Sequence, residues 1–98
     1  GKGFFIVHPG FIRIDSWVHI GENCTVLPMV LFGRAHPIDG TEIFVGDNCY
    51  VGTGATILGP IRIGNNVTIA AGAVVTKDVP DNVVVAGVPA KVIKIKRK

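Results

Sequence analysis

Three histidines, His8, His19 and His36, are the side chains of this 98-residue chain best suited to proton transfer. An unperturbed imidazole has a pKa close to neutral pH, so it can act as a general base. A metal site needs several ligands that converge, and the spacing of these histidines does not indicate one. The sequence therefore favours base chemistry at a histidine over a bound metal, with a polar surface role as the alternative for each of the three.

The elements that would position these histidines follow a six-residue repeat. Its primary positions hold branched aliphatic residues and one Phe: Ile14, Ile20, Val26, Phe32, Val45, Val51, Ile57, Ile63, Ile69 and Val75. Its secondary positions come four residues later: Val18, Cys24, Val30, His36, Cys49, Ala55, Ile61, Val67, Ala73 and Val79. A period of six is neither that of a strand nor that of a helix, so we interpret it as a repeat unit.

Glycines stand directly after many primary positions, namely Gly21, Gly33, Gly46, Gly52 and Gly64. We expect them to let the backbone turn where other residues would be strained. Short strands separated by such corners are typical of a parallel β-helix, in which three hexads form one coil of roughly 18 residues. The fold class predicted from the repeat is all-β, with helix disfavoured by the density of β-branched residues.

Two breaks in the repeat single out two of the histidines. The step from Phe32 to Val45 is thirteen residues instead of twelve, which predicts a protruding loop near 33–44 that contains His36. Upstream, a two-residue shift would make Ile6 a primary position and leave His8 at an outward-facing corner. Irregular segments of a repeat fold tend to lie on its binding face. His19 lies in a regular stretch and is expected to face solvent.

Composition limits the function classes. With 48% hydrophobic residues, a narrow prism would leave apolar flanks exposed, which predicts self-association. Four of the positive charges are terminal: Lys94, Lys96, Arg97 and Lys98. A basic tail on a near-neutral body does not indicate a nucleic-acid-binding face. Cys24 and Cys49 are expected to be buried and reduced. No signal peptide or membrane-spanning segment is recognised, so we expect a cytoplasmic protein.

The segments 63–80 and 85–93 resemble the closing part of the hexapeptide-repeat acyltransferases. This resemblance implies a left-handed parallel β-helix, a homotrimer and acetyl-CoA as the acyl donor. It covers the whole chain, which is expected to be a single domain, 1–98, with an extended C-terminal tail. The stretch beyond Ile95 is expected to be frayed.

The opening segment 3–10 is similar to the one that carries the catalytic His in serine acetyltransferases and related sugar O-acetyltransferases. The resemblance implies that His8 is the general base and that a hydroxyl of serine or of a sugar is the acceptor. It also implies six coenzyme A contacts, at Thr53, Ala71, Thr76, Lys77, Lys91 and Lys94. The small residues would let the pantetheine arm pass close to the backbone, and the lysines would meet phosphates.

The chain departs from the serine acetyltransferase sequences in three respects. Val7 stands where those enzymes have Asp, and the chain is expected to lack their helical N-terminal domain. Their substrate loop ends in a His-Pro close before the next primary position, whereas His36 lies nine residues before Val45. The segment 34–37 is also similar to the loop that carries the catalytic His of galactoside and xenobiotic acetyltransferases, so His36 is the second candidate base. A non-catalytic trimeric scaffold or binding module is the alternative outside the enzymes.

Overall fold

The computed structural model of the protein describes residues 5–6, 18–34 and 42–96. His8, His36 and most of the predicted loop lie outside these ranges. The described residues form twelve β-strands and no helix. In chain order the strands are β1 Phe5–Ile6, β2 Val18–Ile20, β3 Thr25–Val26, β4 Leu31–Arg34, β5 Ile43–Val45, β6 Tyr50–Val51, β7 Thr56–Gly59, β8 Ile61–Ile63, β9 Thr68–Ile69, β10 Val74–Val75, β11 Val83–Ala86 and β12 Lys91–Ile95.

The strands form the three sides of a parallel β-helix. Sheet A has the order β1-β3-β6-β9-β11-β12, sheet B consists of β4, β7 and β10, and sheet C of β2, β5 and β8. The pairings are parallel except that of β11 with β12. Each coil runs through sheets C, A and B in turn. We name the bends between them corner CA, corner AB and corner BC.

The core is the stack of inward-facing side chains of successive coils. Every primary position from Ile20 to Val75 is buried, as is every described secondary position from Cys24 to Val79. On sheet A, Val26, Val51 and Ile69 lie in register on neighbouring strands. Aliphatic residues stacked in register fill a narrow interior without polar groups, and no buried residue in the described part is polar. The repeat therefore predicted this core correctly.

The break after Phe32 differs from the prediction. Phe32 pairs with Ile57 and Val45 pairs with Ile63, so Phe32 and Val45 are consecutive primary positions with extra residues inserted between them. Ile43 lies in register with Ile61 and takes the secondary position that the sequence assigned to His36. At the other break, Ile6 pairs with Val26, which agrees with the two-residue shift.

The last coil is shorter than the repeat indicated. Val79 is bridged to Ile63, and Val85 pairs with Ile69, so two residues are missing relative to the preceding coil. Val83 and Val85 are consequently buried, although neither belongs to the predicted set. A period of six cannot be extended through a deletion, which is why the pattern missed them.

The predicted tail is a strand that folds back on sheet A. β12 pairs antiparallel with β11 and is exposed along its whole length. The expectation that the chain frays after Ile95 is wrong for Lys96. Its N–H donates to the Asn82 carbonyl at 2.7 Å, and its Nζ lies 3.5 Å from Asn66 Oδ1. These contacts fasten the end of β12 to corner CA.

Corner CA turns on asparagines and not on the glycines expected there. Asn23, Asn48, Asn66 and Asn82 have φ values of 56° to 61°, which Asn tolerates better than most residues. Gly46 is needed for a different reason, because a β-carbon on it would lie 2.7 Å from the Gly64 carbonyl oxygen of the next coil. Close approach of stacked coils, rather than a left-handed conformation, requires glycine at this position.

In the ranges that the structure describes, no helix has the length and apolar character needed to cross a membrane.

Candidate functional site

Two of the six residues implied for coenzyme A, Thr53 and Ala71, are stacked on corner AB. The Gly72 N–H donates to the Thr53 carbonyl at 2.9 Å, and both residues are exposed. Gly52 stands directly before Thr53, and a β-carbon on Gly52 would lie 2.6 Å from the Ala71 nitrogen. At Thr53 and Ala71 the corner therefore presents closely packed backbone, and one coil earlier it carries the exposed Met29.

Thr76 and Lys77 lie at the opposite edge of sheet B. They follow β10 directly, where the chain enters corner BC, and both are exposed. Sheet B thus separates them from Thr53 and Ala71. Within one subunit the structure does not bring these two pairs of residues together.

Lys91 and Lys94 belong to β12, on the outer strand of sheet A. Lys91 is in register with Ala86, and the neighbouring Ala90 N–H donates to the Val74 carbonyl at 2.8 Å. Lys91 is therefore close to corner AB. Lys94 is in register with Val84, about 10 Å further along the strand at the usual rise per residue. Of the three lysines, Lys91 is near corner AB. Lys77 lies across sheet B from this corner, and Lys94 lies further along β12 on sheet A.

The outward residues of strands β3 to β11 on sheets A and B differ in charge from those of sheet C. Outward residues of strands β3 to β11 on sheets A and B are uncharged: Thr25, Leu31, Gly33, Tyr50, Thr56, Leu58, Thr68, Val74 and Val84. Leu31 and Tyr50 are 42% and 44% exposed. Sheet C presents His19, Phe44 and Arg62 instead. Exposed apolar side chains such as Leu31 and Tyr50 are typical of surfaces that pack against a partner.

The two candidate bases lie outside the described residues, but strands end close to both in sequence. β1 ends at Ile6, two residues before His8, and its partner β3 leads into corner AB. β4 ends at Arg34, two residues before His36, and Arg34 is in register with Gly59 at the start of corner BC.

Sequence reasoning missed a ladder of side chains on sheet C. His19 is exposed, as expected, but its ring stacks on Phe44 with centroids 4.8 Å apart, and its Nε2 lies 2.5 Å from Glu42 Oε1. The Arg62 guanidinium covers the other side of the Phe44 ring at 4.8 Å. The three side chains are the middle residues of β2, β5 and β8, which pair in register. Their unequal separations in the sequence, 25 and 18 residues, concealed this alignment.

Both cysteines are buried and free, as predicted. The Cys24 thiol donates to the Gly46 carbonyl at 3.1 Å, and the Cys49 thiol donates to the Gly64 carbonyl at 3.2 Å. Burial raises the pKa of the Cys49 thiol from 9.0 to about 11. A protonated, enclosed thiol is a poor nucleophile, so Cys49 is part of the core.

Comparisons with known proteins agree with this geometry. The family described as bacterial transferase hexapeptide (six repeats) matches residues 42–77. A serine acetyltransferase of Mycobacterium tuberculosis is 39% identical over 94 residues, which cover 95% of this chain and 41% of that protein. The chain thus spans less than half the length of this relative.

Two solved structures share the fold. A serine acetyltransferase of Neisseria gonorrhoeae superposes with a TM-score of 0.91 and 36% identity, covering 98% of this chain and 38% of that one. A serine acetyltransferase of Brucella abortus in complex with coenzyme A superposes with a TM-score of 0.86 and 33% identity. The match covers 96% of this chain and 38% of that one. The expected left-handed β-helix is confirmed by these matches. By its repeat, sequence and fold, the chain belongs with the hexapeptide-repeat acyltransferases, on the serine acetyltransferase-like branch.

Proposed function

We propose that this chain is the β-helix domain of an acetyl-CoA-dependent O-acetyltransferase whose acceptor is a hydroxyl of serine or of a sugar. The observation that carries the proposal is corner AB, where Thr53 and Ala71 are exposed and stacked with closely packed backbone at Gly52 beneath them. The similarity to serine acetyltransferases, which covers 95% of the chain in the Mycobacterium tuberculosis protein, supports the same activity.

The cofactor in this proposal lies along corner AB. A narrow strip of exposed backbone suits the pantetheine arm, which is thin and carries amide groups that bond to backbone. Lys91 is close to this corner and offers an ammonium group to a phosphate. The complex of the Brucella abortus enzyme with coenzyme A supports acetyl-CoA as the donor.

The proposed assembly is a homotrimer, because the cofactor residues need a second subunit to form one groove. Thr53 and Ala71 lie at one edge of sheet B, and Thr76 and Lys77 at the other. Neighbouring prisms related by a three-fold axis would bring opposite edges of two subunits together. The uncharged outward residues of strands β3 to β11 on sheets A and B support contacts of this kind.

His8 is the proposed general base. His8 follows Ile6, the end of β1, by two residues in the sequence, and β1 pairs with β3, which leads into corner AB. The imidazole takes the proton of the acceptor hydroxyl while its oxygen attacks the thioester carbonyl carbon. Backbone N–H groups stabilise the developing oxyanion. The C–S bond then breaks, and coenzyme A leaves as the thiol with the proton that the His8 imidazolium returns.

His36 is the second candidate base, as in a galactoside or xenobiotic acetyltransferase. His36 follows Arg34 by two residues in the sequence, and Arg34 is in register with Gly59 at the start of corner BC, on the side of sheet B that carries Thr76 and Lys77. That position favours a role at the groove as well, either as the base or in holding the acceptor.

The test is a measurement of free thiol released from acetyl-CoA by the purified protein, with serine, with a panel of sugars and with no acceptor. Acceptor-dependent release would support the proposal and identify the acceptor class. Binding of acetyl-CoA with no release for any acceptor would favour the non-catalytic trimeric module instead.

A further inference from the structure

Met29 has a backbone conformation that its side chain does not favour. Its φ is 67°, in the left-handed region, and the other non-glycine residues with positive φ in the described ranges are all asparagines. Asn tolerates this region because its short amide bonds to nearby backbone, whereas an apolar side chain has no such compensation. The Met29 side chain is also 56% exposed, so burial in the core does not offset the cost. The fold itself therefore gives no reason for methionine at this position.

Glycine occupies the equivalent position in the next two coils. Because β3, β6 and β9 pair in register, Met29, Gly54 and Gly72 stand at the same level of corner AB. The Gly54 N–H donates to the Pro28 carbonyl at 3.1 Å, which fixes this alignment. Gly54 and Gly72 have φ values of 74° and 72°, and a β-carbon on either would have no atom within 4 Å. Of the three residues, only Met29 places a side chain over the corner.

Met29 lies at the end of the proposed cofactor strip that is remote from Lys91. Three strand spacings, from β3 through β6 and β9 to β11, separate its coil from the last coil, a distance of about 14 Å. The pantetheine arm between the phosphates and the sulfur is as long as about four extended residues, or roughly 14 Å. Lys91 pairs with Ala86 on β11, so phosphates held by Lys91 bring the thioester to the coil of Met29. The next strand of sheet A is β1, which the proposed base His8 follows in the sequence.

This position makes the Met29 side chain a contact for the acyl group. An acetyl group ends in one methyl group beyond the thioester carbonyl, and an apolar thioether packs against it. A longer acyl chain has to displace the thioether, and a single methylene is enough for an apolar site to discriminate between substrates. We propose that Met29 determines the acyl-chain length of the donor, admitting acetyl and excluding longer chains. This inference rests on the proposed function and adds to it the residue that selects the donor.

The experiment compares the affinities of the wild type and of Met29→Gly for free coenzyme A, acetyl-CoA and n-butyryl-CoA, measured by calorimetry without an acceptor. Glycine adopts a φ of 67° without strain, so the variant keeps the fold. The wild type should bind n-butyryl-CoA at least about tenfold more weakly than acetyl-CoA. In Met29→Gly the two thioesters should bind within about threefold of each other, and the affinity for free coenzyme A should be unchanged.

Asn48→Gly is the matched control. Asn48 is exposed and has φ 58° on corner CA, so the variant removes a side chain from the same kind of backbone position on a different corner. Asn48→Gly should keep the wild-type preference for acetyl-CoA over n-butyryl-CoA. A loss of preference as large as that in Met29→Gly would show that the effect does not come from corner AB, and would overturn the proposal.

Other outcomes separate this proposal from the proposed function. Equal affinities of the wild type for the two thioesters, or an unchanged preference in Met29→Gly, would overturn the role of Met29 while coenzyme A binding still supports the acyltransferase. Dissociation of a wild-type trimer by Met29→Gly would identify Met29 as a subunit contact and would also overturn the proposal. If neither protein binds free coenzyme A, the proposed function is wrong, and the role of Met29 is wrong with it.

Discussion

Asp81 Oδ1 occupies the space that a β-carbon on Gly64 would need, and there it accepts the Asn65 N–H at 2.7 Å. The Asp81 backbone nitrogen is also only 2.8 Å from that β-carbon position. The hydrogen bond from Asn65 to Asp81 of the next coil is therefore possible only because residue 64 is glycine. Asp47 and Asn65 repeat the arrangement with Gly21 and Gly46.

Gly64→Ala should destabilise the protein by about 1–3 kcal/mol, because the Asp81 backbone, and not only the Asp81 side chain, stands in the way. The matched control is Gly54→Asn on corner AB. Gly54 has φ 74° with nothing within 4 Å of its β-carbon position, and asparagines adopt similar φ values on corner CA. Urea unfolding should show a small loss for the control. Similar losses for both variants would contradict the close stacking of coils at Gly64.

The Cys49 thiol should make stability depend on pH in the alkaline range. Its pKa is raised by burial from 9.0 to about 11, so the unfolded chain loses this proton first as the pH rises. The contribution of Cys49 is therefore fully present below pH 9 and is lost towards pH 11. Unfolding midpoints of the wild type and of Cys49→Ala should converge over this range. A constant difference between the two proteins would be evidence against the raised pKa.

His8→Ala should lower the turnover number for acetyl transfer by about a hundredfold or more while acetyl-CoA binding is retained, because the variant lacks the base. His36→Ala should raise the KM for the acceptor more than it lowers the turnover number. Steady-state kinetics with separate acetyl-CoA binding measurements distinguish these effects. If turnover is lost only in His36→Ala, the chain uses the base of the galactoside and xenobiotic branch.

Replacing both Lys91 and Lys94 with Ala should weaken acetyl-CoA binding and reduce its dependence on salt, because phosphate contacts are screened by ions. Lys96→Ala is the control, since its ammonium group lies near Asn66 on corner CA, away from the proposed cofactor groove. Acceptor specificity should be unchanged in both proteins. If Lys96→Ala loses as much affinity as the double variant, the assignment of the phosphate contacts to Lys91 and Lys94 is wrong.

Sedimentation should show a trimer at micromolar concentration, and Leu31→Glu should dissociate it by placing a charge on the uncharged face of sheet B. Arg62→Glu changes a side chain on sheet C and should leave the trimer intact. A stable monomer in the wild type would remove the proposed groove between subunits. Dissociation by Arg62→Glu alone would instead identify sheet C as the interface.

The primary and secondary positions of the repeat were sufficient to predict the core, because inward-facing positions recur at a fixed period as long as no residue is inserted or deleted. Where residues are inserted into a coil or deleted from it, the six-residue period no longer identifies the inward-facing positions. Ile43 fills the place given to His36, and Val83 and Val85 were overlooked, since only strand pairing shows how many residues a coil contains. Thr53 and Ala71 came from the resemblance to the acyltransferase family and not from the repeat, although their 18-residue spacing equals one coil.

Contacts between coils were decided by the tertiary structure alone. His19, Phe44 and Arg62 are 25 and 18 residues apart, and their stacking follows from the register of three strands rather than from any local signal. The same holds for Lys96, which the sequence placed in a loose end and which the structure fastens to Asn82. Residues remote in sequence meet only after the coils have stacked, so their partners cannot be read from a period that describes one coil at a time.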